Sequence, residues 1–160
     1  MSNNQETIKN PQGFLKTITI IHAALLIGQI LFAGFAFFIT NSAVINLKPN
    51  GDPLFFVVPF ITVAGLIAGI FISKNKLAGM NDTNSLDEKL AIYQTTSIIR
   101  YALTEGASLF GIVTYLITGN LLFLLITGLN ILYFIWLRPT KLKVEDDLNL
   151  SFEDKIAMQG

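Results

Sequence analysis

Three long stretches without Asp, Glu, Lys or Arg constrain this chain more than any other feature: Thr17 to Leu47, Pro53 to Ser73 and Gly106 to Leu137. A helix of about 20 residues crosses a hydrocarbon core of ~30 Å, so each stretch can supply a span. The third is too long for one, and Gly119-Asn120 marks a break within it. Taking SIIRYALTEGASLFGIVTYLIT as the first arm of that hairpin gives four spans, near 17–40, 54–73, 97–118 and 120–137. In lipid the backbone must satisfy itself, and the alternation of barrel strands is missing, so these spans are helices. Charged residues are only 14% of the chain against a usual ~25%, too few to coat a soluble globule of 160 residues. The expected fold is an all-α polytopic membrane protein: a four-helix transmembrane domain over 1–140 and a short cytoplasmic tail over 141–160.

The apolar run after Lys16 exceeds the core of a signal peptide and has no small-residue cleavage site, so it reads as a retained first span. Basic residues set the orientation. Lys9 and Lys16 precede the first span, Lys74, Lys76 and Lys89 fall between the second and third, and Arg138, Lys141 and Lys143 follow the fourth. Only Lys48 lies between the first two spans, and none lies in the turn between the last two, which places both termini in the cytoplasm of a multi-pass cell-membrane protein. Asn10-Pro11 has the pattern of an N-cap followed by Pro at the first helical position. Ser85-Leu86-Asp87-Glu88 has capping-box spacing, so the third helix is expected from about Leu86 to Ile117, its first turns in water. Pro59 is a candidate kink, Gly65 and Gly69 form a weak GxxxG, and Trp136, Tyr133 and Arg138-Pro139 fit an interface anchor and helix stop. Beyond Glu145 both a short surface helix starting at Ser151 and a frayed end fit the sequence.

Sliding the chain on itself by 78 residues aligns the first span with the third. Thr17, Ile20, Ile21, Ala24, Leu25, Gly28, Leu31, Phe32, Ile39 and Thr40 meet Thr95, Ile98, Ile99, Ala102, Leu103, Gly106, Leu109, Phe110, Ile117 and Thr118. Through Phe32 the matches trace one stripe of a 3.6-residue helix, the pattern of a hairpin duplicated in tandem about an axis along the membrane normal. Ala24 with Gly28, and Ala102 with Gly106, supply small-xxx-small spacing, so this stripe is expected to be where the two helices meet.

On the opposite side of the third helix lie Ser97, Arg100, Tyr101, Thr104, Glu105, Ser108 and Tyr115. A charge in the hydrocarbon centre costs roughly 3 kcal/mol on insertion scales, so this face needs company. Counted back from Ile117, Arg100 lies about 25 Å down, within snorkelling reach of the headgroups, while Glu105 lies about 18 Å down, inside the core. The two are poorly placed for a salt bridge, being about 140° apart around the helix. A polar layer of Glu105, Ser108, Asn130 and Gln29 is expected, with Arg100 and Tyr101 beside it.

Eleven basic and eleven acidic residues leave no net charge, so nothing recruits nucleic acid. Cysteine is absent, which excludes disulfides, thiolate metal sites and a Cys nucleophile. HExxH, GxSxG, Walker A and GxGxxG motifs are absent as well, and no cofactor or metal is implied. Capping and solvation account for Asp82, Asp87 and Glu88 better than a divalent ion does, and His22 fits packing or a headgroup contact better than catalysis. The leading expectation is a non-enzymatic assembly or accessory subunit using the polar face of the third helix, in a homo-oligomer or with other membrane subunits. The alternative is movement of protons, ions or small solutes, with Glu105 as the intramembrane carboxylate. In length, paired hairpins and one intramembrane Glu, the chain resembles the tandem-duplicated proteolipid of vacuolar-type rotary ATPases. Its Glu is in the third span rather than the fourth, however, and no GxGxGxG ladder lines the first helices. The resemblance is one of architecture, and the rotary function is not carried over.

Overall fold

The structure is a computed structural model that describes residues 11–40, 43–49, 51–80 and 84–158. Among these residues it is all-helical: α1 Pro11–Ile39, α2 Leu54–Ala78, α3 Leu86–Thr118, α4 Leu121–Trp136, α5 Lys141–Asp147 and α6 Phe152–Ala157. Two helical segments, Gly13–Ile39 and Leu54–Ala78, are long and apolar enough to cross a membrane; counting α4 and α5, bent by 82°, as one broken span gives three. α3 has ample length at 33 residues, but the polar side chains along it hold its hydropathy down.

Local chemistry sets the helix ends. Pro11 opens α1, and its expected cap, Asn10, lies outside the described residues. Ser85 Oγ accepts from the Glu88 amide at 3.3 Å while the Ser85 amide donates to Glu88 Oε2 at 3.2 Å, the reciprocal capping box that the spacing implies. At the other end of α3, Gly119 takes φ 67°, a left-handed cap that favours glycine, and its amide donates to Tyr115 O at 2.8 Å. Asn120 then caps α4 by accepting from the Leu122 amide at 3.1 Å. The same side chain ties down the segment after α1: Oδ1 accepts from the Asn46 amide at 3.1 Å and Nδ2 donates to Asn46 O at 3.0 Å. Val44 completes the staple, donating to Gly119 O and accepting from the Leu121 amide.

α3 is the central helix, packed most extensively on α2, then on α4 and α1. The α2 contact runs through Gly65 and Gly69, where an added Cβ would lie 3.2 Å from Leu103 O and from Arg100 Cγ. A weak GxxxG thus lets α2 approach α3 closely. Gly111 does the same toward α4, since a methyl group there would overlap Thr127 Oγ1. The expected α1–α3 seam is corrected: Ala24, Gly28, Ala102 and Gly106 are all exposed, and a Cβ at either glycine would meet nothing within 4 Å. In both helices the small-residue stripe lies opposite the polar positions, and burying those positions outweighs close packing of small ones.

Two apolar cores result. One gathers Ala36, Val58, Ile112, Tyr115 and Phe123 near the α3–α4 turn. The other joins Phe14, Ile18, Leu90, Tyr93, Tyr101 and Phe134 to Val144, Leu148, Leu150 and Met158. Residues beyond 140 are therefore a packed part of the fold. Thr140 caps α5 by accepting from the Lys143 amide, Ser151 caps α6 by accepting from the Asp154 amide, and Lys89 pairs with Asp154 at 3.5 Å.

Candidate functional site

Between the two cores lies a polar layer carried by α1, α3 and α4. Thr104, Ser108, Thr127, Asn130 and Gln29 are all buried there. Asn130 Nδ2 donates to Thr104 O and to Ser108 Oγ, both at 2.8 Å. Thr104 and Thr127 turn their hydroxyls back onto the carbonyls of Arg100 and Phe123, at 2.9 Å each, and so use up their donors within their own helices. Gln29 is fully buried, and its Nε2 reaches back to Leu25 O at 3.3 Å. Gln29 Oε1 and Asn130 Oδ1 are buried with no hydrogen-bond partner among the described residues.

Below this layer, His22 is stacked on Phe134 with ring centroids 4.6 Å apart and planes 6° apart, while Tyr101 meets it edge-on at 5.1 Å. His22 Nε2 lies 2.8 Å from Phe134 O. A carbonyl can only accept, so Nε2 carries the proton and the ring is a donor that locks α1 to the last turn of α4. Arg100 reaches α4 as well: Nη2 donates to Tyr133 Oη at 2.7 Å, and the guanidinium lies 5.9 Å from the centre of the Tyr133 ring. Its Nε is buried without a partner among the described residues.

The residues singled out from sequence separate into two groups. Ser108 and Asn130 are bonded to each other, and Gln29 is buried in the same interior. Tyr101 and Arg100 sit a turn or two lower, one in the aromatic cluster and the other on Tyr133. Glu105 stands apart. It is only partly buried, and it has neither hydrogen bond nor ion pair among the described residues. Glu105 does not join the expected polar layer: Tyr101 packs on Phe134 and Ser108 is bonded to Asn130, both brought in by α4 from its own side. The polar face of α3 is thus largely spent inside the molecule, and Glu105 remains at its margin beside exposed Ala102 and Gly106.

Sequence reasoning missed the Thr104 carbonyl and Tyr133 as partners. The first was accessible: counted outward from the Gly119-Asn120 turn, Asn130 stands ten residues away and Ser108 eleven, so an antiparallel hairpin brings them level. The Arg100–Tyr133 bond depends on the reach of a long side chain and has no such signal. Outside the apolar helices, Tyr93 is held in the second core; burial first, then the charge of Asp147, push its phenol up to about 12. No group of three His, Asp or Glu among the described residues is arranged to hold a metal ion. Comparison of the chain with protein-family models, curated proteins and solved structures gives no match.

Proposed function

We propose that the chain crosses the membrane four times with both ends in the cytoplasm, and that it is a non-enzymatic accessory or assembly subunit. Its docking surface is the outer side of α3 around Glu105. One observation carries this reading: a carboxylate in the middle of a central helix, unpaired among the described residues, stands next to Ala102 and Gly106, beside which there is open space. Small residues let another helix approach closely, and a half-buried carboxylate at membrane depth favours a partner that brings a cation or strong donor to it. Among the described residues, a second copy offers no free cation at that height. Arg100, the one basic residue between Lys89 and Arg138, is turned inward onto Tyr133. The occupant is therefore a helix of another membrane subunit carrying Arg, Lys or a comparable donor.

Mild-detergent purification of the full chain, followed by mass spectrometry of whatever remains bound, tests this. Glu105→Gln keeps hydrogen bonding and is expected to retain the partner; Glu105→Leu and Gly106→Leu are expected to lose it. Unchanged composition in both Leu variants refutes the docking surface. The alternative, cation translocation through Glu105, requires the Gln variant to lose flux in proteoliposomes while the assembly stays intact.

A further inference from the structure

Gln29 and Asn130 present an accounting problem that their own side chains cannot solve. Both are at least nine-tenths buried, and each leaves an amide oxygen without a donor. Asn130 has both Nδ2 hydrogens in use, on Thr104 O and Ser108 Oγ. The hydroxyls of Thr104 and Thr127 are committed to Arg100 O and Phe123 O. Ser108 Oγ accepts from Asn130, which frees its own hydrogen to be donated. The helix register sets these residues at similar heights. The His22–Phe134 contact fixes the level of α1 against α4. Gln29 is two turns beyond His22 on the same face, and Asn130 is one turn back from Phe134 on antiparallel α4. Their levels differ by roughly 4–5 Å at 1.5 Å per residue. Ser108, two turns beyond Tyr101, stands level with Gln29.

Two unsatisfied acceptors and one uncommitted donor are the complement of a single water molecule. We infer that one buried water bridges α1, α3 and α4 here, accepting from Ser108 Oγ and donating to Gln29 Oε1 and Asn130 Oδ1. Three hydrogen bonds is the usual number for a buried water, and a polar layer between two apolar cores is where such a molecule is held. A bare cation would satisfy the two amide oxygens but would give the Ser108 hydroxyl nothing to donate to. The site is independent of whatever docks at Glu105, so the two proposals fail separately.

The sign of a stability change tests the inference. A buried amide oxygen with no partner is a liability, and Gln29→Leu would then raise the thermal midpoint; an amide held by a water is an asset, and the same change lowers it. In one detergent, Gln29→Leu and Ser108→Ala are each expected to lower the midpoint by several degrees. The double variant should lose clearly less than the sum, because either change dismantles the same hub. A raised midpoint for Gln29→Leu, or strict additivity, overturns the proposal. A sodium-specific rise in the wild-type midpoint, absent with potassium, overturns it in favour of a cation. A spectroscopic reading covers variants that fold poorly. With side-chain 13C-labelled glutamine, the Gln29 carbonyl stretch, isolated by subtracting the Gln29→Leu spectrum, should fall at a hydrogen-bonded frequency. An unbonded frequency refutes the water.

Discussion

Replacing Asn120 by Ala removes a cap and a cross-link at once. The lost N-cap bond to the Leu122 amide costs roughly 0.5–2 kcal/mol. The paired bonds to Asn46 N and O add about 0.5–1.5 kcal/mol each, at the low end because the site is only partly buried. The total is about 1.5–3 kcal/mol, or a midpoint lowered by roughly 3–12 °C for a chain of this size. Emission of the single Trp during heating in mild detergent reads the midpoint, and hydrogen exchange reads its origin. Protection should fall at Leu122 and Asn46, and also at Val44 and Leu121, which belong to the same staple. Asn120→Asp keeps both acceptor roles of the side chain but faces Asn46 O with an oxygen, so it should fall between wild type and Ala. A change under ~0.5 kcal/mol in the Ala variant, or loss of protection confined to Leu122, would refute the argument that one amide holds the two connections together.

Glycine positions should divide by contact. Gly111→Ala forces α3 and α4 apart at Thr127 and is expected to cost about 1–3 kcal/mol, whereas Gly106→Ala and Gly28→Ala meet open space and gain up to ~1 kcal/mol of helix propensity; thermal midpoints of the three decide. For Tyr93, the raised folded-state pKa gives a contribution fully present below pH 10, the unfolded value, and lost as pH rises toward about 12. Two pH units correspond to about 2.7 kcal/mol, so wild type should lose stability between pH 10 and 12 more steeply than Tyr93→Phe, and parallel curves would contradict this. Ser85→Ala removes the Oγ arm of the capping box while the backbone amide at that position can still donate to Glu88, and should cost about 1 kcal/mol, seen as faster exchange confined to the first turn of α3.

The helices and their ends were legible because their causes are local. The box at Ser85 and Glu88, the left-handed Gly119 and the cap at Asn120 are each fixed by a few neighbouring residues. The inward polar layer was legible in part, since Asn130 and Ser108 share a height around a tight turn. Which face of a helix meets which neighbour was not. Ala24–Gly28 and Gly65–Gly69 carry the same signal, yet only the second pair is packed, and the difference lies in what stands opposite. His22 and Gln29 on α1, and Thr104 and Ser108 on α3, demand burial, and their helices rotate to grant it. Of the two readings beyond Glu145, the short helix starting at Ser151 is the one present, as α6, but the packing of that segment escaped for another reason. Val144, Leu148, Leu150 and Met158 are too widely spaced to announce a core, and the other half of that core is supplied by Phe14, Leu90 and Tyr93.

That shared core has a consequence for biogenesis. Residues 144–158 are synthesised after every surface they cover, so Phe14, Ile18 and Leu90 wait uncovered while the later helices are made. The lower half of the molecule can close only when residues 144–158 arrive, the Lys89–Asp154 pair joining that segment to α3. A chain that stops short of Val144 leaves that apolar surface open, and one that includes Met158 covers it.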